Sequence, residues 1–185
     1  MNDKVDYGPL KGLIGTWSGD KGTDWSPEKY GLNKNEYYET ITFTPAGEVE
    51  NAESQVLAAI HYHQVVTDKT DDEPIHNETG YWIWDKKSST VIHSLTIPRG
   101  VCVLAGGSYS GETENGAAVI EVSAEVDSQE WGIVQAPFMS SNAKTKKFTQ
   151  KITVGNGVFS YDETTTVEIY GKNFEHTDQN TLSAQ

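Results

Sequence analysis

Five histidines and a single cysteine are the residues of this chain best suited to metal or redox chemistry. His61 and His63 stand two apart on a run that reads as a strand, so their imidazoles share a face, and such a pair can chelate a metal. A cupin-type site would add a glutamate a few residues on, but Thr67 and Asp68 stand there. The expectation is therefore a pair on a polar face or hydrogen-bonded within a cavity. His76 and Glu78 form an H-x-E pair that reads as a hydrogen-bonded structural element. His93 reads only as a strand residue. His176 lies near the end of the chain, in a polar stretch flanked by Phe174 and Leu182. Cys102 sits in an apolar strand and reads as packing rather than as a reactive thiol.

Other chemistry is missing. Gly107-Ser-Tyr-Ser-Gly111 imitates a nucleophile elbow, but Tyr109 occupies the nucleophile's place. There is no phosphate-binding glycine loop and no dinucleotide fingerprint. No catalytic residue is assigned. The net charge of −13, with one short basic run at Lys144-Thr-Lys-Lys147, excludes a nucleic-acid binder and argues against anionic membranes. A lone cysteine allows no intramolecular disulfide. With no apolar leader at the N-terminus, this fits a soluble, cytoplasmic protein.

These side chains must be positioned mostly by strands. Tyr37 to Phe43 alternates, with Tyr37, Glu39, Ile41 and Phe43 on one face. Gln55 to Val66 sets Leu57, Ala59, His61 and His63 against Val56, Ala58, Ile60 and Tyr62. Thr79 to Asp85, Val91 to Ile97, Val101 to Tyr109, Ala118 to Val126, Lys147 to Val154 and Val158 to Tyr170 follow. Gly155-Asn-Gly157 marks a hairpin between the last two. Helical signal is confined to Pro9–Ile14 and a short turn at Asp178–Gln185. About ten strands without intervening helices require an antiparallel sheet, in a single domain over residues 1–185. Closure into an up-and-down barrel removes the edges and leaves room for an internal ligand.

Four blocks in order carry a resemblance. Gly15-Thr-Trp-Ser-Gly19, which reads as a tryptophan plugging one barrel end, is similar to the G-x-W-x-G-x-G signature of the nitrobindin family, with Lys21 in place of the last glycine. Pro74-Ile-His-Asn-Glu-Thr-Gly-Tyr81 resembles its P-x-H-x-E-x-G-[YF] block. Ile97-Pro-Arg-Gly100 with Gly107-Ser-Tyr109 resembles its P-x-G…G-x-Y stretch. The hairpin ending in Phe159-Ser-Tyr161 completes the series. Trp25-Ser-Pro-Glu28 replaces the family's Tyr-Pro-Thr stretch.

The resemblance implies a lipocalin-like, fatty-acid-binding-protein-like barrel that binds haem b. It also implies nitric oxide binding, and peroxynitrite isomerisation if the protein is an enzyme. His176 aligns with the family's axial histidine and is the expected ligand to the haem iron. Its second nitrogen then needs an acceptor, from Glu175, Asp178 or a backbone carbonyl. The tail would fold across the barrel mouth, burying Phe174 and Leu182. The alternative partner is a fatty acid, lipid or other small hydrophobic ligand in the same cavity. A third alternative is an interaction protein with a filled barrel. Monomer and dimer are both open.

Overall fold

Alternation of inward and outward residues organises almost the whole chain. The computed structural model describes residues 5–109 and 111–185. It opens with a 3₁₀ turn, Gly8–Leu13, followed by β1 (Gly15–Gly19), β2 (Thr23–Glu28), β3 (Gly31–Asn51), β4 (Gln55–Asp68), β5 (Pro74–Asp85) and β6 (Thr90–Ile97). Then come β7 (Val101–Ser108), β8 (Ala118–Glu125), β9 (Ile133–Gln135), the short helix α1 (Pro137–Asn142), β10 (Ala143–Gly155), β11 (Val158–Ile169) and β12 (Lys172–Ala184). On β3, Tyr37, Glu39, Ile41 and Phe43 are buried while Tyr38, Thr40 and Thr42 are exposed.

The ladder runs antiparallel from β3 through β8 and on through β10, β11 and β12. It closes because β1 and β2 both lie between β12 and β3. β1 pairs Gly15 with Phe43 and Trp17 with Ala184; β2 pairs Thr23 with Glu36 and Trp25 with Thr177. The two short strands thus share one stave. β9 pairs with the start of β7, from Val101 to Val103, where β8 has ended. The result is a closed barrel of ten strand positions, with no free edge in the ring among the described residues.

The 3₁₀ turn plugs one end. Leu10 and Leu13 are fully buried, and the Trp17 indole Nε1 donates to the Leu13 carbonyl at 2.7 Å. The Trp17 ring meets Phe159 edge-on, with centroids 5.9 Å apart. Gly22, rather than residue 21, is the position where a side chain cannot fit: a Cβ there would lie 2.1 Å from the Tyr37 ring.

Two expectations are corrected. The segment Asp178–Gln185 is not a helical turn but belongs to β12, which runs to Ala184. The tail therefore does not fold across the mouth. Leu182 is buried at the plugged end beside Phe159, and Phe174 is half-buried. The reason is that His176, Asp178 and Asn180, the inward residues between Phe174 and Leu182, are polar, so the strand shows no sustained apolar alternation. The helix at Pro137–Asn142 also goes beyond the elements read from sequence. Among the described residues no helix is long and apolar enough to cross a membrane.

Candidate ligand-binding site

Inward residues change character along each stave. From the plugged end, β12 presents Leu182, Asn180, Asp178 and His176; β5 presents Trp84, Trp82, Glu78 and His76; β11 presents Phe159, Tyr161, Glu163 and Thr165. Apolar packing gives way to a polar belt, and beyond the belt lies a cavity of about 440 Å³. That volume is in the range of small-molecule sites. Val66, Leu95, Val101, Val103 and Phe148 supply apolar wall; His76, Arg99 and His176 supply nitrogen groups.

His176 lies on β12, opposite Thr165 of β11, with its side chain in the cavity wall. Its Nε2 is hydrogen-bonded to Oδ1 of Asp24 on β2. The other oxygen of Asp24 accepts from Asn35 Nδ2 at 2.7 Å. Burial works to raise the Asp24 carboxyl, but the bonds from His176 and Asn35 outweigh it and hold the group below its ordinary value. The orienting acceptor of His176 is thus Asp24, not Glu175 or Asp178. Sequence reasoning missed it because the contact spans 152 residues.

His76 is joined to Glu78, Nε2 to Oε2, at 3.4 Å, as the H-x-E spacing suggests, but the pair also lines the cavity. Glu78 Oε1 accepts from the Tyr62 hydroxyl at 2.5 Å, and that hydroxyl lies 2.8 Å from His93 Nε2. His93 is 1% exposed and stacks on Trp82 with centroids 4.0 Å apart. Burial pushes His93 down to about 4. Burial alone would lower His76 and raise Glu78, but their mutual attraction reverses both, so His76 is raised and Glu78 lowered. His93 is therefore more than a strand residue. Its parity with Val91 and Leu95 placed it inward, and a histidine at an inward position was the available signal.

A second network completes the belt. Tyr37 donates to Asp178 at 2.5 Å. Tyr161, Asn180 and Gln64 all donate to Glu39, at 2.5 to 3.1 Å. Burial pushes Glu39 up to about 7 and Asp178 up to about 6 despite these donors. Glu163 is driven well above the usual carboxyl range by burial and by the charges of Glu78, Asp178 and Glu39; Gln150 Nε2 donates to its Oε2 at 3.0 Å.

The remaining candidates lie elsewhere. His61 and His63 are on the outer face of β4, bonded to Thr79 at 2.9 Å and Asn77 at 3.0 Å. Among the described residues no cluster of three or more His, Cys, Asp or Glu could hold a metal ion. Cys102 is exposed, which corrects its reading as packing: on β7 it is Val101, Val103 and Ala105 that point inward.

The family model of the THAP4-like, heme-binding beta-barrel domain matches residues 6–183. No curated protein matches the chain. Among solved structures, Rv2717c from M. tuberculosis superimposes with a TM-score of 0.71 over 97% of this chain and 99% of that one. At 21% identity, that likeness shows the shared fold alone. With the family model spanning nearly its whole length, this chain belongs to the THAP4-like, heme-binding β-barrel domain family, a nitrobindin-like family.

Proposed function

We propose that the cavity binds haem b, with His176 as axial ligand to the iron. The observation that carries this reading is the His176 imidazole in the cavity wall with the Asp24 carboxylate, on the same wall, bonded to one of its ring nitrogens. A carboxylate on one ring nitrogen orients an imidazole and raises its basicity toward a metal. Asp24 engages Nε2, which leaves Nδ1 as the free donor atom. The residues present fit the group. Val101, Val103, Leu95 and Phe148 offer an apolar face that excludes water from the macrocycle, and Arg99 offers a guanidinium to a propionate. Haem held there would supply a site for nitric oxide and, by family resemblance, for isomerising peroxynitrite to nitrate. The chain itself holds and orients the group, and His76 and Glu163 present titratable atoms to the same space. Titrating haem into the purified protein tests this: a Soret shift that saturates at one equivalent and loses its axial-ligand signature in His176→Ala is expected. No shift would overturn it.

A second reading is a carrier for an aliphatic carboxylate, favoured by Arg99 on a wall shared with Leu95, Ile97 and Val101. Mass spectrometry of ligands extracted from the purified protein separates the two. Recovery of haem alone rejects the carrier, and recovery of fatty acid alone rejects haem.

A further inference from the structure

Beneath the cavity floor lies a second, smaller void of about 10 Å³, bordered by Tyr62, Gln64, Glu78, His93, Gln150 and Tyr161 among others. Two buried acceptors at its border have no hydrogen-bond partner among the described residues: His93 Nδ1 and Gln150 Oε1. The hydrogen directions show why Nδ1 is an acceptor. Glu78, ionised beside His76, can only accept, so the one hydroxyl hydrogen of Tyr62 goes to it. The Tyr62 oxygen must then accept from His93, which places the ring hydrogen on Nε2 and leaves Nδ1 a bare lone pair. Gln150 spends its amide N–H on Glu163, so its Oε1 is the atom left over. Two acceptors without a donor, at one void about the size of a single water, need a molecule that donates twice.

We propose that this void is the binding site of one resident water, which donates one hydrogen to His93 Nδ1 and the other to Gln150 Oε1. The water completes a chain of bonds behind the cavity floor: His76, Glu78, Tyr62, His93, water, Gln150, Glu163. Both ends of the chain line the ligand cavity, on β5 and β11. Its effect is to fix the direction of the Gln150 amide. With the carbonyl oxygen held by water, the N–H points at Glu163 Oε2, and the other carboxyl oxygen is left for the cavity. His93 and Gln150 act as positioning residues for Glu163, whatever the cavity holds.

The test uses the haem-free full chain. A crystal structure that resolves ordered water should show one oxygen at about 2.7–3.2 Å from both acceptors. In solution, the His93 Nδ1 resonance should be that of a hydrogen-bonded acceptor, with a slowly exchanging water cross-peak to the His93 ring. Gln150→Met removes the water's second acceptor and the Glu163 donor together. It should move the Nδ1 resonance toward the unbonded position and shift the Glu163 carboxyl titration to higher pH. The wild-type measurements decide alone if that variant does not fold. A dry void overturns the proposal. So does a Gln150 side chain turned so that its own N–H donates to His93, or a Nδ1 resonance unmoved by Gln150→Met.

Discussion

His176 on β12 and Asp24 on β2 share a hydrogen bond although 152 residues separate them. The register of the two strands sets Asp24 opposite Asp178, so the Asp24 carboxylate reaches diagonally to the imidazole two residues along the same face. If His176 ligates iron, Asp24→Asn should weaken haem binding about 10–100-fold while the barrel stays folded, because it removes the charge that orients the ring. Absorbance titrations of haem into wild type, Asp24→Asn and His176→Ala check this. Equal affinity in all three would exclude His176 as the ligand.

His76 should behave differently. His76→Ala strips Glu78 of its cationic partner while the Tyr62 bond remains. The His76 side chain is 35% exposed, so solvent screens the pair, and a loss of about 1–2 kcal/mol is expected rather than the full value of a buried ion pair. Thermal melts should register this loss, with haem affinity changing less than in His176→Ala.

Stability should fall between mildly acidic and mildly basic pH. Glu39 rises from its ordinary 4.5 to about 7 and Asp178 from 3.8 to about 6, and Glu163 is also raised. Across that range the folded chain holds protons that the unfolded chain has released, so rising pH destabilises it by about 1.4 kcal/mol per pH unit for each such proton. His76, raised above 6.5, contributes fully below that pH and loses its contribution as pH climbs through its folded value. His93, lowered from 6.5 to about 4, opposes them, since its contribution is lost as pH falls from 6.5 toward 4. Three carboxyls outweigh one imidazole, so Tm should be higher near about pH 5 than near about pH 8. Glu39→Gln should flatten the profile, and a Tm that climbs over this interval would contradict the assignment.

Gly22→Ala should destabilise the protein by about 1–3 kcal/mol through overpacking. The added Cβ would sit 2.1 Å from the Tyr37 ring, and moving that ring breaks the Tyr37–Asp178 bond at the cavity floor. Lys21→Ala, one residue earlier, is the control and should be near neutral. Denaturant titration of the two variants distinguishes them.

Cys102 should react with a thiol reagent in the native protein at a rate close to that of the unfolded chain, because its side chain is exposed on the outer face of β7. Protection until unfolding would show that this face is covered in solution.

Much of the barrel was legible in the chain, for a physical reason that also marks where legibility stops. Strands that pack one face on apolar neighbours, such as β3 near Ile41 and Phe43 or β4 near Ile60 and Tyr62, carry the two-residue period openly. β12 does not, because His176, Asp178 and Asn180 face the cavity and the belt, and polar residues on both faces look like a tail. β2 was hidden for the same reason, with Asp24 inward and Trp25 outward. Of the candidate site, His76, Glu78 and His176 were named as individual residues. Their partners Asp24, Tyr62 and His93 come from other strands and depend on register, which no local pattern encodes.

The polar belt works as a bulkhead across the barrel. On one side, Trp17, Leu182, Phe159 and Ile152 pack at the plugged end. On the other, Val101, Phe148 and His176 line the ligand space. Substitutions at the cavity wall leave the plug's own contacts, Trp17 to the Leu13 carbonyl and to the Phe159 ring, in place.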